Sequence, residues 1–248
     1  MAESVEQAEN FFGVTFNYAG YPMVREARAI IRQGLLGEVR HVVCEMPQET
    51  FSRQDSNPQP WRRQDYEIPC VSLDLGVHVH HLVRYLTGSF RSSDLSATFS
   101  THGRFKDIVD TVTVTARSET GPLINMLWGK SFLGQRNGLN IRIFGDCGSL
   151  SWSQTDPETL WMAQADGAIK QIDRGLPKPL SGASYTLERF KAGHPAGFVE
   201  AFANLYGDFA SCLNKDPEKL RDVEEHFGAA AALEGLQFLE QVGRVALR

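Results

Sequence analysis

Hydrophobic and polar positions change period along the chain, and the change separates a mixed first part from a strand-rich middle and a helical end. Residues 1–10 read as a short helical piece, and the apolar run FFGVTFNY (11–18) predicts a buried strand. Pro22 opens a helix over 22–33, where its missing N–H has no helical partner to lose. Val24, Ala27, Ile30 and Ile31 give that helix its apolar stripe, and Gly34 stops it. From Glu38 to Phe51 the alternation predicts a long strand. Residues 52–72 are polar, carry Pro58, Pro60 and Pro69, and read as an irregular loop holding Trp61 and Arg62. A helix is predicted from Asp74 to about Thr87, with Gly88 at its end.

Between Leu95 and Ile172 the texture is one of short alternating strands: SATFST, TVTVTA, LINMLWG, LNIRIFG, SLSWS, TLWMAQ and AIKQID. Turn signals separate them, among them Glu119-Thr-Gly-Pro, Arg136-Asn-Gly and Ala165-Asp-Gly. Such hairpin connections predict a largely antiparallel sheet. Residues 173–194 read as a loop. Two helices follow, Pro195–Asn214 with Phe198, Phe202, Leu205 and Phe209 on one face, an aromatic stripe read as core rather than a cofactor box, and Val223–Leu247. The expected fold class is α+β, a large open sheet with helices 22–33, 74–87 and 195–246 covering one face.

Composition narrows the functional classes. The chain has 248 residues, with 25 basic against 30 acidic side chains. That balance argues against nucleic acid as a partner, which calls for a basic stripe. Four cysteines lie far apart with no C-x-x-C pair, the pattern of reduced thiols in a cytoplasmic protein. The first ten residues are polar and acidic, unlike a secretory leader, and no apolar run reaches the ~18 residues of a membrane span.

The sharpest local chemistry is in Ser72-Leu-Asp-Leu-Gly-Val-His-Val-His-His81. Asp74 and His78, four apart, would share one helix face, and a carboxylate beside an imidazole can prepare a general acid or base. The same residues also fit a plainer account, with Asp74 as an N-cap and His78 bonded to a buried carbonyl. Their spacing alone leaves both readings open. His78, His80 and His81 lack the spacing of a metal site, and His81 and Leu82 read as packing residues. His194 precedes a helix start, where free N–H groups can seat a polar or anionic group, although Gly193 and Pro195 also suffice as punctuation. No G-x-G-x-x-G, P-loop or G-x-S-x-G is present.

Several tracts occur in one order: Asn17-Tyr-Ala-Gly-Tyr-Pro-Met-Val-Arg-Glu-Ala-Arg28, Gly34-Leu-Leu-Gly-Glu-Val-Arg40, Trp61-Arg62, Asp74-Leu-Gly-Val-His78, Ile143-Phe-Gly-Asp-Cys-Gly-Ser-Leu150 and Gly193-His-Pro-Ala-Gly-Phe198. Together they resemble the glucose–fructose oxidoreductase/inositol dehydrogenase (Gfo/Idh/MocA) family of NAD(P)-dependent sugar dehydrogenases, from about Phe12 onward. The family joins an N-terminal Rossmann domain to a C-terminal domain on an open, mostly antiparallel sheet, and this sequence is similar to the second part only. The resemblance implies that residues 1–18 are the remnant of a preceding dinucleotide-binding domain and that 19–248 form the sugar-oxidoreductase C-terminal α+β domain. The family's catalytic lysine and NAD(P) cradle would lie before Met1. Ile68-Pro-Cys-Val-Ser-Leu73 departs from the glycine-rich run usual upstream of Asp74.

Carried across residue by residue, Asp74 and His78 match the family's active-site pair. Asn17, Tyr18, Trp61, Arg62 and His194 match substrate-side positions. The implied partners are a sugar or polyol and further copies of the same chain, joined through the sheet face. No cofactor is expected in the chain as it stands, with NAD(P) bound only if a Rossmann domain is supplied. Three functions follow in order: an oxidoreductase polypeptide not redox-active alone, a carbohydrate-binding or partner subunit, and a cofactor-free acid–base enzyme acting on a keto-sugar.

Overall fold

The computed structural model describes residues 2–8, 11–89, 92–118, 121–181, 189–214 and 217–246. Eight strands form one sheet: β1 (Val39–Pro47), β2 (Ser92–Ser100), β3 (Thr111–Ser118), β4 (Leu123–Gly129), β5 (Asn140–Gly145), β6 (Gly148–Ser153), β7 (Asp156–Gln164) and β8 (Ile169–Asp173). Their spatial order is β2-β3-β4-β1-β5-β6-β7-β8. Every neighbouring pair is antiparallel except β1 with β4, which run parallel, with Val42 opposite Ile124 and Cys44 opposite Met126. The first strand in sequence therefore lies in the middle of the sheet. All seven strands expected between 95 and 172 are present, because period-two alternation and glycine-bearing turns specify hairpins locally.

One face of the sheet is dry. Val42, Cys44 and Met46 of β1, Ile124, Met126 and Trp128 of β4, and Leu150 and Trp152 of β6 are buried there. The two indole N–H groups donate to Ser72 Oγ and to the Pro157 carbonyl, both at 3.1 Å, so neither tryptophan buries an orphan donor. Helices cover this face: α1 (Ala2–Ala8), α2 (Pro22–Arg32), α3 (Val77–Thr87), α4 (Phe198–Leu213), α5 (Pro217–Phe227) and α6 (Ala229–Ala246). Of these, α2 lies on β6 and β7, α3 on β1, and α6 on β2. The fold is α+β, with helices on one face of an open, mostly antiparallel sheet. Among the described residues no helix covers the other face, which exposes Phe144 and Trp161.

Three expectations are corrected. The Phe11–Tyr18 run is not a strand: residues 11–16 have no regular structure and Asn17–Gly20 form a 3₁₀ turn. Its partners are helices, with the Val14 N–H donating to the Phe227 carbonyl at 2.7 Å and the Phe16 ring stacked on His81 at 3.9 Å. An apolar run enclosed by helices shows the same lack of period as one enclosed by sheet. The C-terminal part has three helices rather than two, divided at Gly228. The aromatic stripe of α4 is only half core, since Leu205 and Phe209 are buried while Phe198 is exposed.

Within the expected loop 173–194, residues 182–188 lie outside the described residues. The part that is described is anchored from within. Buried Glu26 accepts the N–H groups of Leu180 and Ser181, each at 2.9 Å. Arg174 reaches Glu158 at 2.9 Å and the His194 carbonyl at 2.8 Å.

Candidate active site

The helix around Asp74 begins earlier than expected, at Cys70, and its Ser72–Gly76 turn is a π-turn that leads directly into α3. A π-turn widens the helix by one residue and takes Asp74 and His78 out of the register that an ordinary i,i+4 pair would have. Close packing holds the turn against the sheet. A Cβ on Gly76 would lie 3.0 Å from both the Trp128 ring and Leu239, so glycine lets the turn seat on the buried indole. Asp74 is thus an interior residue of a bulged helix and not an N-cap.

Asp74 faces a cavity of about 310 Å³ lined by Tyr18, Gln48, Arg62, His78, Lys130 and Asn137, among others. Two cations take up its carboxylate. Arg62, from the 3₁₀ turn Pro60–Arg63, donates through Nε to Oδ2 at 2.9 Å and through Nη2 to Oδ1 at 3.0 Å. Lys130, the first residue after β4, donates through Nζ to Oδ2. Burial draws the Asp74 carboxyl upward, but hydrogen bonds and charge from Arg62 and Lys130 outweigh it and hold it below the usual carboxylate range. Asp74 is an anion at neutral pH.

No hydrogen bond joins Asp74 to His78, which corrects the expected carboxylate–imidazole pair. The physical reason is competition, since two guanidinium donors and an ammonium take up three of the carboxylate's roughly four acceptor positions. His78 instead sits edge-on to Tyr18, with centroids 5.1 Å apart, and its Nδ1 is buried without a hydrogen-bond partner. Burial pushes the His78 pKa below its ordinary value, with the Asp74 charge acting the other way. The imidazole is neutral at pH 7. A neutral imidazole is the state required of a base that removes a hydroxyl proton.

The remaining sequence candidates divide. Tyr18 lines the cavity, and burial raises its hydroxyl pKa. Asn17, beside it in the 3₁₀ turn, is buried with its Nδ2 unpartnered and does not line the cavity. Trp61 is 48% exposed, donates to Gln59 Oε1 at 2.9 Å, and stacks under the Arg62 guanidinium at 4.5 Å. It supports Arg62 from outside. His194 is exposed and absent from the lining, because α4 begins at Phe198, three residues later than expected. His81 and Leu82 are buried packing residues, as the sequence suggested; His81 Nε2 lies 2.7 Å from the His226 carbonyl.

Sequence reasoning missed Lys130, Gln48 and Asn137. Lys130 follows an apolar strand with no local pattern to mark it. Asn137 was visible only as half of an Asn-Gly turn signal; its φ of 62° is the left-handed conformation that asparagine tolerates. Among the described residues, no group of three or more His, Cys, Asp or Glu is placed to hold a metal ion. Nor does a glycine-rich turn there join a strand to a helix N-terminus in a parallel βαβ unit.

The family model for the GFO/IDH/MocA C-terminal domain matches residues 24–151, just over half of the chain and the stretch that carries β1, Arg62, Asp74, His78 and Lys130. The chain belongs to the Gfo/Idh/MocA family. It is similar to the uncharacterized oxidoreductase YfiI of Bacillus subtilis (strain 168), with 26% identity over 253 residues, covering 97% of this chain and 64% of that protein. Among solved structures it resembles an inositol dehydrogenase homolog from Azotobacter vinelandii complexed with NAD+. Identity there is 25% and the TM-score 0.87, over 100% of this chain and 67% of that one. The same homolog complexed with NADH and myo-inositol gives 26% and 0.86, over 99% and 65%. This Gfo/Idh/MocA chain spans about two thirds of the length of the relatives it matches.

Proposed function

We propose that the cavity bounded by Tyr18, Arg62, Asp74, His78 and Lys130 is the sugar- or polyol-binding site of a Gfo/Idh/MocA oxidoreductase. In this reading residues 19–248 place the substrate and accept its proton. NAD(P) is held by a dinucleotide-binding half that these residues do not supply, and residues 1–18 are the tail of that half. The single observation that carries the reading is Asp74, half-buried and ionised between two cations on the wall His78 shares. A fixed carboxylate accepts hydrogen bonds from substrate hydroxyls, and the neutral His78 imidazole takes up a hydroxyl proton as the C–H bond is broken. The myo-inositol bound by the Azotobacter homolog agrees with a polyol as ligand. Hydride acceptance belongs to the nicotinamide and is no part of what these residues do.

Two further features belong to the same proposal. Copies of the chain associate through the uncovered sheet face, where Phe144 and Trp161 are exposed and Val43 and Leu127 are half-buried. The setting is cytoplasmic, supported by four free cysteines; among the described residues no helix is long and apolar enough to cross a membrane.

Calorimetric titration of the full chain with myo-inositol and a panel of hexoses, then with NADH, tests the division of labour. Polyol binding that is lost in Asp74→Ala, together with NADH binding weaker than millimolar, is the expected result. Micromolar NADH affinity would overturn the assignment of the cofactor to another domain.

A further inference from the structure

We propose that the cavity selects an acidic substrate, a sugar or polyol that carries a carboxylate, and that Lys130 is the residue that makes the selection. The inference rests on the cavity being the substrate site. Its starting point is charge. Among the lining side chains Arg62 and Lys130 are cations, Asp74 is the sole carboxylate, and the rest are uncharged or the imidazole of His78. The wall is therefore one negative charge short.

Neighbouring carboxylates do not make up the difference. Asp65 accepts the N–H groups of Cys70 at 2.9 Å and Val109 at 2.7 Å. Asp110 accepts those of His102 at 2.9 Å and Gly103 at 2.6 Å, and the Thr111 hydroxyl at 2.9 Å. Neither lines the cavity.

The two cations are not equivalent. Arg62 spends three of its five donors on protein, two toward Asp74 and Nη1 toward Gln59 Oε1 at 2.9 Å, and its side chain, 31% exposed, can give the other two to water. Lys130 is only 5% exposed, and of its three ammonium donors one goes to Asp74. The Phe51 ring lies 5.5 Å from Nζ and supports the charge on another side without accepting a conventional hydrogen bond. Two N–H donors of a buried ammonium thus have no acceptor among the described residues, beside a space that water or a ligand can enter. A buried cation left short of countercharge favours binding an anion over a neutral molecule of the same shape.

A second donor faces the same space. Gln48 Nε2 donates to Asn137 Oδ1 at 2.6 Å, and with the amide so turned the Asn137 NH₂ spends one N–H on the Tyr18 hydroxyl and has one left for the cavity. Lys130 and Asn137 together offer donors to carboxylate oxygens, while Asp74 stays committed to hydroxyl groups. The cavity volume is at the lower end of the range for small-ligand pockets and suits a single monosaccharide acid.

Titration of the full chain with D-gluconate and D-glucuronate, beside D-glucose and myo-inositol, reads the selection. The acids are expected to bind at least about tenfold tighter than their neutral counterparts, with affinity that falls as NaCl is raised. Lys130→Met should bring the ratio of acid to neutral affinity down to about one, whatever it does to the affinity for the neutral ligands themselves. If that variant fails to fold, Asn137→Ala and the salt dependence of the unaltered protein carry the same comparison. Equal affinity for acids and neutral polyols, or salt-independent acid binding, overturns the inference and leaves the polyol site standing. Binding of neither class overturns both.

Discussion

Replacing Asp74 by Asn is expected to destabilise the protein by about 3 kcal/mol, and the cost resides in what the substitution leaves behind. The carboxylate accepts bonds from Arg62 at 2.9 and 3.0 Å and from Lys130, and its side chain is 15% exposed. With an effective dielectric of about 20, a unit charge pair about 4 Å apart is worth about 4 kcal/mol, so the two pairs supply about 8 kcal/mol before desolvation is counted. Desolvation of three ions cancels most of that gain, which is why removing all the charges together would cost little. Removing the anion alone strands two cations at a cost of about 3–5 kcal/mol, and water in the cavity sets the lower end. For a domain of this size the melting temperature should fall by about 6–12 °C. Lys130→Met alone should cost less, since Asp74 keeps its bidentate arginine. Adding it to Asp74→Asn should recover about half of the loss, because one stranded cation is gone. Guanidinium denaturation of the four proteins, with unchanged m-values, gives the cycle. A loss below about 0.5 kcal/mol for Asp74→Asn, or additive single substitutions, would refute the countercharge account.

Acid should destabilise the fold before its carboxylates titrate. Burial holds His80 and His226 to about 4, and lowers His78 and His81, so the unfolded chain binds these protons first and stability is lost as pH falls from about 6.5 to about 4. His80 alone accounts for about 3 kcal/mol over that window, and a denaturation midpoint unchanged between pH 7 and pH 5 would contradict it. Gly20→Ala should cost about 3 kcal/mol or more, because the new methyl would sit 2.1 Å from the Ala201 carbonyl oxygen of α4; a melting curve like that of the unaltered protein would show that the helix can withdraw. Light scattering at micromolar concentration should give a dimer or tetramer that Trp161→Asp dissociates, and a monomer before substitution would remove the sheet face as the contact.

The parts of the fold that could be read from sequence are those whose causes are local. Alternation in TVTVTA and LINMLWG, and Gly at turn positions, set each hairpin without reference to the rest of the chain. The parallel pairing of β1 with β4 has no such signal, because it depends on which distant edge remains free. Phe11–Phe16 shows the converse failure, a strongly apolar segment with no sheet edge to join. In the site, the Asp74–His78 spacing drew attention to the correct turn for the wrong reason: the π-turn and two cations from elsewhere decide how each side chain is used. Lys130 could not be found by spacing at all. Its place depends on where β4 ends relative to a helix nearly sixty residues earlier, a relation carried by Trp128 packing under Gly76.

The central position of β1 has a consequence for how the chain is made. During translation β1 leaves the ribosome first among the strands, yet both of its hydrogen-bonding neighbours are still to come. His41 and Asn125, bonded across the β1–β4 pair at 2.7 Å, are 84 residues apart, and the Glu38–Asp146 bond beside β5 spans 108. At about 5–20 residues per second the nascent strand waits roughly 4–17 s for its first edge partner. Throughout that interval Val42, Cys44 and Met46 have no sheet to bury them, although α2 is already complete. Synthesis order and pairing order run against each other here, so β1 is the segment of the nascent chain that a holding chaperone has most reason to engage.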